Sequence, residues 1–503
     1  MKYYSEFIHF LPSHSLVMML IGLIVVSAGI YCSQKTHTKN ISYSFLFIGF
    51  MMIGSGFATI DPYLHEWDEQ YHALVAKNFS TNPLHPQLIV HSPIKLDYKN
   101  WTYNEIWLHK QPLFLWQIAL SIKTFGATIW AVRFPSILLH ALTALLVFSI
   151  GKRFLKPNLA ILACVLFGCS GYYNDYTSGA IGMDHNDVAF VFYVTASFWA
   201  WFKYREAINQ RKWMVLIGVF SGCAIMCKWL VGLLVFSGWG TVILMENWKD
   251  LKNWIDLLKS FVVAVLLALP WQLYCYINYP SEYSYEMAYN STHFTHALEN
   301  HGGDAFFYWN VMDDSFGSGE LIRWIILIGL LLFIYKSIKI QGNWLFATIV
   351  FVTTYLFFTI AATKLQGYVT IVASFGFIFL FYPIELLFGY IQSKKKFHVN
   401  SVISTSLILA VLFFHFSPNG VVGRHKYGSP IYRETRITEL KSSIEVINSV
   451  SHFDGYFILK GNKSNILASL IYLTNAKIVT YDPYFEGKIA DKKNYFLIDL
   501  TKR

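Results

Sequence analysis

An adjacent pair of carboxylates, Asp68 and Glu69, follows an apolar run at residues 43–60 that is long enough to cross a bilayer. Neighbouring carboxylates repel each other and are costly to remove from water. The pair is therefore either a set of solvated loop charges or a group placed to act on a substrate. Beside the hydroxyl group of a substrate, such a carboxylate would act as general base, which raises a reaction rate by a factor of about 10²–10⁴.

Two single lysines, Lys228 and Lys364, stand at the ends of otherwise apolar segments. Each could extend its ammonium group to the lipid headgroups. Lysines that converge on one face from different helices would instead form an anion site, for which the phosphate of a lipid carrier is the natural ligand. The candidate phosphate ligands are Lys110, Lys228, Lys364 and Arg323, with Tyr368 expected one helical turn beyond Lys364.

A third group consists of histidines in the segment before residue 300. His293 and His296 are three residues apart, so they could share a metal ion if the segment is helical. Solvated loop histidines are the alternative, because the spacing lacks the further ligands of a zinc signature.

The composition identifies the elements that must position these side chains. The chain has 503 residues, of which 55% are hydrophobic and 14% charged, and its mean hydropathy is +0.41. These values indicate a polytopic α-helical membrane protein. The net charge of +10 does not indicate a nucleic-acid partner, because most basic residues fall in short clusters between apolar runs. The six cysteines lie in or beside apolar runs and are predicted to be packing residues.

Apolar runs of suitable length predict a bundle of about 11–13 membrane helices. The runs are 15–31, 43–60, 132–150, 159–171, 188–202, 213–227, 230–245, 261–276, 321–335, 344–362, 368–391 and 402–416. The runs that meet near residue 228 form either one broken span or two spans.

The basic clusters all fall on one side when that pair is counted as two spans, and the positive-inside rule makes this side cytoplasmic. We therefore expect an integral plasma membrane protein, in bacteria of the inner membrane, with its site facing the periplasm or outside. The segments expected on the outer face are 61–131, 172–187, 278–320 and 363–367, together with the tail from 417 to 503.

The sequence predicts two domains, a membrane domain at 1–416 and a small α/β domain at 417–503. In the second domain, residues 456–459, 477–481 and 495–500 have the pattern of strands, and 465–473 that of a helix. No catalytic motif stands out there, so we expect a structural or acceptor-docking role.

Several outer segments resemble, in order, motifs of the GT-C superfamily of polyprenyl-phosphate-sugar-dependent glycosyltransferases. The likeness is strongest to the branch of protein O-mannosyltransferases and lipid A aminoarabinose transferases. The motifs are DEQYHA at 68–73, HKQPLFLW at 109–116, AVRFPS at 131–136, GKR at 151–153, KWLVG at 228–232 and TKLQGY at 363–368. The segment KWLVG resembles the family's Lys-Gly-x-x-Gly, with a tryptophan in place of the first glycine.

The resemblance implies a GT-C fold with short surface helices on the outer face and an inverting transfer from a polyprenyl-phosphate-linked sugar. It implies Asp68 as base and Glu69 beside it in the catalytic group, and it adds Asp184, with Asp187 as the alternative. It also suggests His301 as a site residue.

The remaining implications of the resemblance stay open. His109 is a further candidate, at a position where aminoarabinose transferases carry a glutamate, so a divalent metal is left open. The acceptor could be a lipid, a glycan or a protein. A transporter or flippase is the alternative function, although it would more typically show inverted repeats and helices broken near the midplane.

Overall fold

A computed structural model describes most of the chain. The described residues are 7–35, 39–90, 92, 95–180, 182, 184–317, 320–395, 418–425, 430–450, 453, 455–460, 464–480 and 495–499. The predicted span at 402–416 lies outside them.

Eleven of the predicted membrane spans coincide with helices in the described part of the chain. They are α1 (Ser13–Ser33), α2 (Lys39–Ala58), α5 (Ile129–Gly151), α6 (Pro157–Gly168), α8 (His185–Glu206), α9 (Arg211–Lys228), α10 (Leu234–Asn247), α11 (Leu251–Asn278), α15 (Glu320–Ile340), α16 (Asn343–Ile360) and α17 (Ala373–Lys395). Among the described residues, eight helical segments are long and apolar enough to cross a membrane, with Arg211–Asn247 counted as one segment. Long apolar helices are the elements expected to cross a membrane, because a helix satisfies its backbone polar groups by its own hydrogen bonds.

The segment between α9 and α10 is a short 3-10 helix, Trp229–Leu233, rather than a continuation of either helix. A Cβ atom on Gly232 would lie 2.6 Å from the backbone nitrogen of Ile225, so the chain folds back against α9. A continuous helix would separate residues 225 and 232 by two turns. The predicted interruption therefore forms a reversal, which supports counting α9 and α10 as two spans.

Shorter helices carry the segments expected on the outer face. They are α3 (Asp68–Thr81), α4 (Leu113–Phe125), α7 (Gly171–Thr177), α12 (Pro280–Thr292), α13 (Phe307–Asn310) and α14 (Met312–Phe316), with 3-10 helices at Leu298–Asn300 and Gln366–Val372. Helix α3 packs on α4, and α7 lies against α2, α5 and α8. The ends of the long helices and these short helices together surround the candidate site.

The C-terminal part contains α18 (Pro418–His425), α19 (Pro430–Ser449) and α20 (Ser464–Thr474), with strands β1 (Tyr456–Lys460), β2 (Ile478–Thr480) and β3 (Tyr495–Asp499). All three strands are parallel in the order β2-β1-β3, with Phe457 aligned to Ile478 and to Phe496. The predicted strands and the helix between the first two are confirmed.

This C-terminal unit docks on α3. The Gln70 side-chain oxygen accepts hydrogen bonds from the backbone nitrogen (3.2 Å) and hydroxyl (3.0 Å) of Ser469. The Lys77 ammonium group donates to the carbonyl of Tyr472 near the end of α20. Helix α3, which carries the acidic pair, is therefore held from the side of the C-terminal unit as well as from the membrane helices.

Candidate active site

The acidic pair lies in the first turn of α3, where the exposed backbone N–H groups favour negative charge. Trp67 precedes the helix with φ +62° and ψ −133°, a conformation that is costly for any residue other than glycine. Consecutive side chains on a helix point in different directions. Asp68 and Glu69 therefore have separate environments despite being neighbours in sequence.

Glu69 is fully buried in an ion pair with Arg133 of α5. Its two carboxylate oxygens lie 2.6 Å from Nε and 3.0 Å from the terminal nitrogen of Arg133. Gly179 lies against this carboxylate at φ +71°, and a Cβ atom there would be 2.4 Å from its carbon. Burial alone would raise the pKa of Glu69, but Arg133 and His185 hold it well below its usual value. These are the contacts of a positioning residue, so the structure favours Glu69 as a support for the first turn of α3 rather than as a group that meets the substrate.

Asp68 faces the site, with its side chain 20% exposed and one oxygen 3.6 Å from Nζ of Lys110. Burial alone would raise the pKa of Asp68, whereas the charges of Lys110, His72, His109 and Lys228 lower it, and the net effect is a lowered pKa. Burial likewise lowers the pKa of Lys110, but Asp68 and other nearby carboxylates raise it above its usual value. Asp68 is therefore a carboxylate and Lys110 an ammonium group at neutral pH.

Asp184 lies at the start of α8 and contacts His72, a residue of α3 close to Asp68. It caps the helix by accepting from the backbone N–H of Asn186, and the Nδ1 of His72 lies 2.9 Å from its other carboxylate oxygen. His72 is one turn beyond Asp68 on α3, and its ring packs edge-on against Phe114. His72 is not among the residues that the motifs predicted for the site, although its spacing of four residues from Asp68 puts both on one helix face.

Asp68, His72 and Asp184 each present one potential ligand atom, and these atoms lie within 4.8 Å of one another. Two carboxylates and an imidazole suit a divalent cation such as Zn²⁺ or Mn²⁺. The residues therefore fit a divalent metal ion, a possibility that the resemblance left open.

Asp187, the alternative to Asp184, belongs to a second group. One of its oxygens accepts a hydrogen bond of 2.5 Å from Nζ of Lys228, and this ammonium group lies 4.9 Å from the ring centre of Tyr368. The residue after Lys228 is Trp229, with φ +62° and ψ −158°. Both Asp184 and Asp187 thus lie in the site, each with a different partner.

A cavity of about 320 Å³ opens beside this second group. Its polar lining includes Asp187, Lys228, His293 and Tyr368. Its apolar walls include side chains of α16 and of the 3-10 helices Trp229–Leu233 and Gln366–Val372. At its margin Leu230 is 70% exposed, so the apolar wall continues onto the outer surface of the protein. Such a cavity suits a ligand with a charged head and an apolar chain.

Lys364 has a different position from the one expected. Its ammonium group donates to the carbonyls of Thr359 and Ala361, both at 2.7 Å, and so caps the C-terminal end of α16. The expectation that Tyr368 stands one helical turn beyond Lys364 is wrong, because α16 ends at Ile360 and the next 3-10 helix begins at Gln366. Lys364 is buried among backbone carbonyls, whereas Tyr368 lines the cavity.

Arg323 is not brought to this cavity. Its guanidinium group lies 3.2 Å from a carboxylate oxygen of Glu320 one turn earlier on α15, and it stacks over Trp309. Its role as a phosphate ligand stays a prediction without support from these contacts.

His109 and His301 occupy two different environments. The His109 ring stacks on Trp101, with 4.6 Å between ring centres and 5° between planes, and its Nδ1 lies 3.3 Å from Glu286. Burial and the charge of Lys110 lower the pKa of His109, although Glu286 opposes them. His301 is exposed, and its carbonyl accepts from the backbone N–H of Lys364 at 2.8 Å.

The helical arrangement considered for His293 and His296 does not form, because α12 ends at Thr292. His293 lines the cavity, whereas the Nδ1 of His296 lies 2.8 Å from the hydroxyl of Thr295. Of this pair, only His293 belongs to the candidate site.

Comparisons with known proteins identify the class. A family model described as dolichyl-phosphate-mannose-protein mannosyltransferase matches residues 109–274. ArnT from Cupriavidus metallidurans, bound to undecaprenyl phosphate, has a similar structure, with a TM-score of 0.59 and 13% identity over 92% of this chain and 90% of that one. The oligosaccharyltransferase AglB from Archaeoglobus fulgidus, in complex with an inhibitory peptide and a dolichol-phosphate, gives a TM-score of 0.54 at 12% identity, covering 89% of this chain and 65% of that one. The fold is that of the GT-C superfamily, and the resemblance predicted from the motifs is confirmed.

Within this superfamily, the sequence relatives are undecaprenyl phosphate-alpha-4-amino-4-deoxy-L-arabinose arabinosyl transferases. The second such transferase of Pseudomonas fluorescens (strain Pf0-1) is 30% identical over 166 residues, which are 31% of this chain and 29% of the relative. The one from Edwardsiella ictaluri (strain 93-146) is 26% identical over 331 residues, 62% of this chain and 56% of the relative. The matches therefore span between 29% and 56% of the length of these two relatives.

Proposed function

We propose that this chain is a membrane glycosyltransferase, which moves a sugar from a polyprenyl-phosphate carrier to an acceptor hydroxyl or phosphate on a lipid, glycan or protein. One observation carries the proposal. A charged carboxylate, Asp68, lies beside Lys110 and within electrostatic reach of Lys228, which lines an apolar-walled cavity. A transferase needs these three elements: a base, a cation for the departing phosphate, and walls that exclude water.

The cavity is the proposed donor site. Phe357 and Phe358 line it from α16 and Leu230 from the 3-10 helix after Lys228, and these apolar surfaces would bind the prenyl chain. Lys228 would bind the phosphate by exchanging part of its contact with Asp187 for a phosphate oxygen. The similarity to a structure that holds undecaprenyl phosphate supports this class of donor.

The transfer itself is a single displacement. The acceptor oxygen bonds to the anomeric carbon, Asp68 accepts the acceptor's proton, and the bond from the anomeric carbon to the phosphate oxygen breaks. The electron pair leaves with polyprenyl phosphate, whose growing negative charge Lys228 and Lys110 stabilise. Attack from the face opposite the phosphate inverts the anomeric centre.

A divalent cation would be held by Asp68, His72 and Asp184. When bound, it would supply a Lewis acid for the oxygen atoms around the reacting centre. Whether or not a cation is bound, Lys110 would orient Asp68, and His72 would fix the rotamer of Asp184.

The protein is an integral membrane protein, and we place its site on the periplasmic or outer face, because the basic loops are expected on the other side. Single cysteines introduced at exposed Asp97 and at Lys252 would test this. A membrane-impermeant thiol reagent applied from outside should label only the first.

Purified protein in lipid nanodiscs, supplied with polyprenyl-phosphate sugars and candidate acceptors, tests the activity through release of free polyprenyl phosphate. Asp68→Asn should lower the rate by about 10²–10⁴, since the amide cannot accept the proton. Asp97→Asn is the matched control, because Asp97 lies in the same outer segment but is exposed and caps a turn through the backbone N–H of Lys99.

Equal rates in Asp68→Asn and Asp97→Asn would contradict the assignment of the base. Movement of intact lipid-linked sugar across the bilayer, unaffected by Asp68→Asn and without release of polyprenyl phosphate, would instead indicate a flippase.

A further inference from the structure

A second cluster of potential ligands lies apart from the residues of the proposed reaction. Asp61 and His65 belong to the segment after α2, and His425 ends α18, 364 residues further along the chain than Asp61. One Asp61 oxygen, Oδ2, lies 3.0 Å from Nε2 of His65 and 2.6 Å from Nδ1 of His425. All three side chains are buried, with at most 6% of each residue exposed.

The cluster borders a small void of about 20 Å³. Its lining includes all three residues, together with Tyr63 and Arg436. A void of this size holds about one water-sized particle, since one probe sphere needs about 10–15 Å³. The three side chains therefore border room for about one small particle.

The other nitrogen of His425 is held as in metal-binding histidines. Its Nε2 lies 3.0 Å from an oxygen of buried Asp175, and Asp175 is in turn paired with Arg424. Histidines that bind metals through one ring nitrogen almost always donate the other N–H to a carboxylate, carbonyl or water, which fixes the tautomer and the ring orientation. Asp175 would supply that second contact.

We propose that Asp61, His65 and His425 bind one divalent cation of the Zn²⁺ class, which fastens the C-terminal segment to the first outer segment of the membrane domain. One carboxylate and two imidazoles are a ligand set that Zn²⁺ accepts, with water or another donor completing a tetrahedron. Ligand atoms about 2.0–2.2 Å from Zn²⁺ are roughly 3.3–3.5 Å apart in a tetrahedron, so the cluster must open by several tenths of an ångström. The adjoining void gives it that room.

The role of the proposed ion is structural, and no step of the proposed reaction requires it. It shares no residue with the group formed by Asp68, His72 and Asp184. Because Asp175 stands in α7 and His425 in α18, a bound ion would connect three segments at the outer face. A metal that binds only the folded arrangement stabilises it by mass action.

The test measures the Zn²⁺ content of the purified full-length protein after loading with Zn²⁺ and removal of free metal. His65→Ala and His425→Ala should each contain one equivalent less than the wild type. His85→Ala is the matched control, because His85 is a partly buried histidine that belongs to neither trio and whose Nδ1 lies 2.7 Å from the hydroxyl of Tyr279. His72→Ala reports on the other trio and should keep the equivalent assigned to His425.

Two further measurements guard against variants that fail to fold. In His72→Ala, which lacks the other trio, Zn²⁺ should raise the melting temperature, and Co²⁺ should give the visible absorption bands of a tetrahedral site. Adding Asp61→Asn, which keeps the size of the side chain, to this variant should abolish both responses. Equal metal content in the wild type and in His425→Ala, or a metal lost only in His72→Ala, would overturn the proposal. A hydrogen-bonded cluster alone would leave the melting temperature of His72→Ala unchanged by Zn²⁺, which would also overturn the proposal.

Discussion

At the scale of single residues, the two carboxylates of the acidic pair lie in different environments. Asp68 keeps part of its surface open and contacts Lys110, whereas Glu69 is wholly enclosed with Arg133. A buried ion pair whose partner is removed leaves an uncompensated charge, which costs far more than losing an exposed pair. This difference gives each carboxylate its own experimental signature.

Removing the charge of Glu69 should destabilise the protein. Glu69→Gln should lower the free energy of unfolding by about 3–5 kcal/mol, because Arg133 would remain buried without its counter-charge. The double variant Glu69→Gln/Arg133→Met should lose less than the sum of the single variants, as coupled neighbours do. Unfolding in mixed micelles measures these values.

Glu206→Gln is the control for this cycle. It breaks the ion pair of 2.6 Å with Arg153, in which Glu206 is 44% exposed, so the cost should stay within about 1 kcal/mol. A loss of the same size in both glutamine variants would contradict the positioning role of Glu69.

Lys228 should contribute to the rate beyond any effect on stability, and the rate is measured per folded protein because losing Lys228 leaves the largely buried Asp187 without its counter-charge. Lys228→Gln should reduce release of polyprenyl phosphate by about 10²–10³, the usual effect of losing one group that stabilises transition-state charge. Lys123→Gln is the control, since Lys123 is exposed in the last turn of α4. A comparable loss in both variants would indicate a general effect of surface charge instead of phosphate binding.

At the scale of elements, two tryptophans beside the charged residues have an unfavourable backbone conformation. Trp67 precedes Asp68 and Trp229 follows Lys228, both with φ +62°. Such a conformation costs about 1–3 kcal/mol for a non-glycine residue and persists only where the surroundings impose it. At position 229 the resembling family motif has a glycine, which adopts this conformation freely.

Two substitutions at this position separate backbone strain from side-chain packing. Both Trp229→Gly and Trp229→Ala remove the indole ring, but only glycine relieves the positive φ. The glycine variant should therefore be more stable than the alanine variant by about 1–2 kcal/mol. Thermal unfolding of the two proteins in the same detergent measures the difference, and equal melting temperatures would contradict the strain.

Helices α15 and α17 approach each other closely at Gly329. A Cβ atom there would lie only 2.0 Å from the carbonyl oxygen of Phe379, a backbone atom that cannot move independently. Gly329→Ala should destabilise the bundle by about 1–3 kcal/mol. Gly389→Ala, on α17 with no atom within 4 Å of the added carbon, should be neutral or slightly stabilising in a thermal melt. The same melting temperature for both variants would argue against this close packing.

At the scale of the whole molecule, α3 contacts both the membrane helices and the C-terminal unit. Gln70 immediately follows the acidic pair and accepts two hydrogen bonds from Ser469, both buried. Gln70→Ala would leave these donors unsatisfied at a cost of about 1–3 kcal/mol. Hydrogen exchange in residues 464–474 should therefore become faster. Gln117→Ala, which breaks a bond to Tyr193 within the membrane domain, should leave exchange in that segment unchanged.

The sequence by itself determined the class of protein, the positions of eleven described helices that coincide with predicted spans, the interruption after Lys228 and the strands of the C-terminal unit. These features follow from local patterns, because the length of an apolar run and the alternation in a strand are properties of neighbouring residues. The motifs also indicated the superfamily, and their residue types singled out Asp68, Lys110, Asp184 and Lys228 as candidates for the site.

Only the tertiary structure decided what each of these groups contacts. It turned Lys364 toward the carbonyls at the end of α16, enclosed Glu69 with Arg133, added His72 to the site and brought His425 to Asp61. Each of these outcomes depends on how the helices pack and on the direction in which a particular side chain points. A lysine at the end of an apolar helix can reach a phosphate, the lipid headgroups or its own backbone, and sequence spacing does not distinguish these partners.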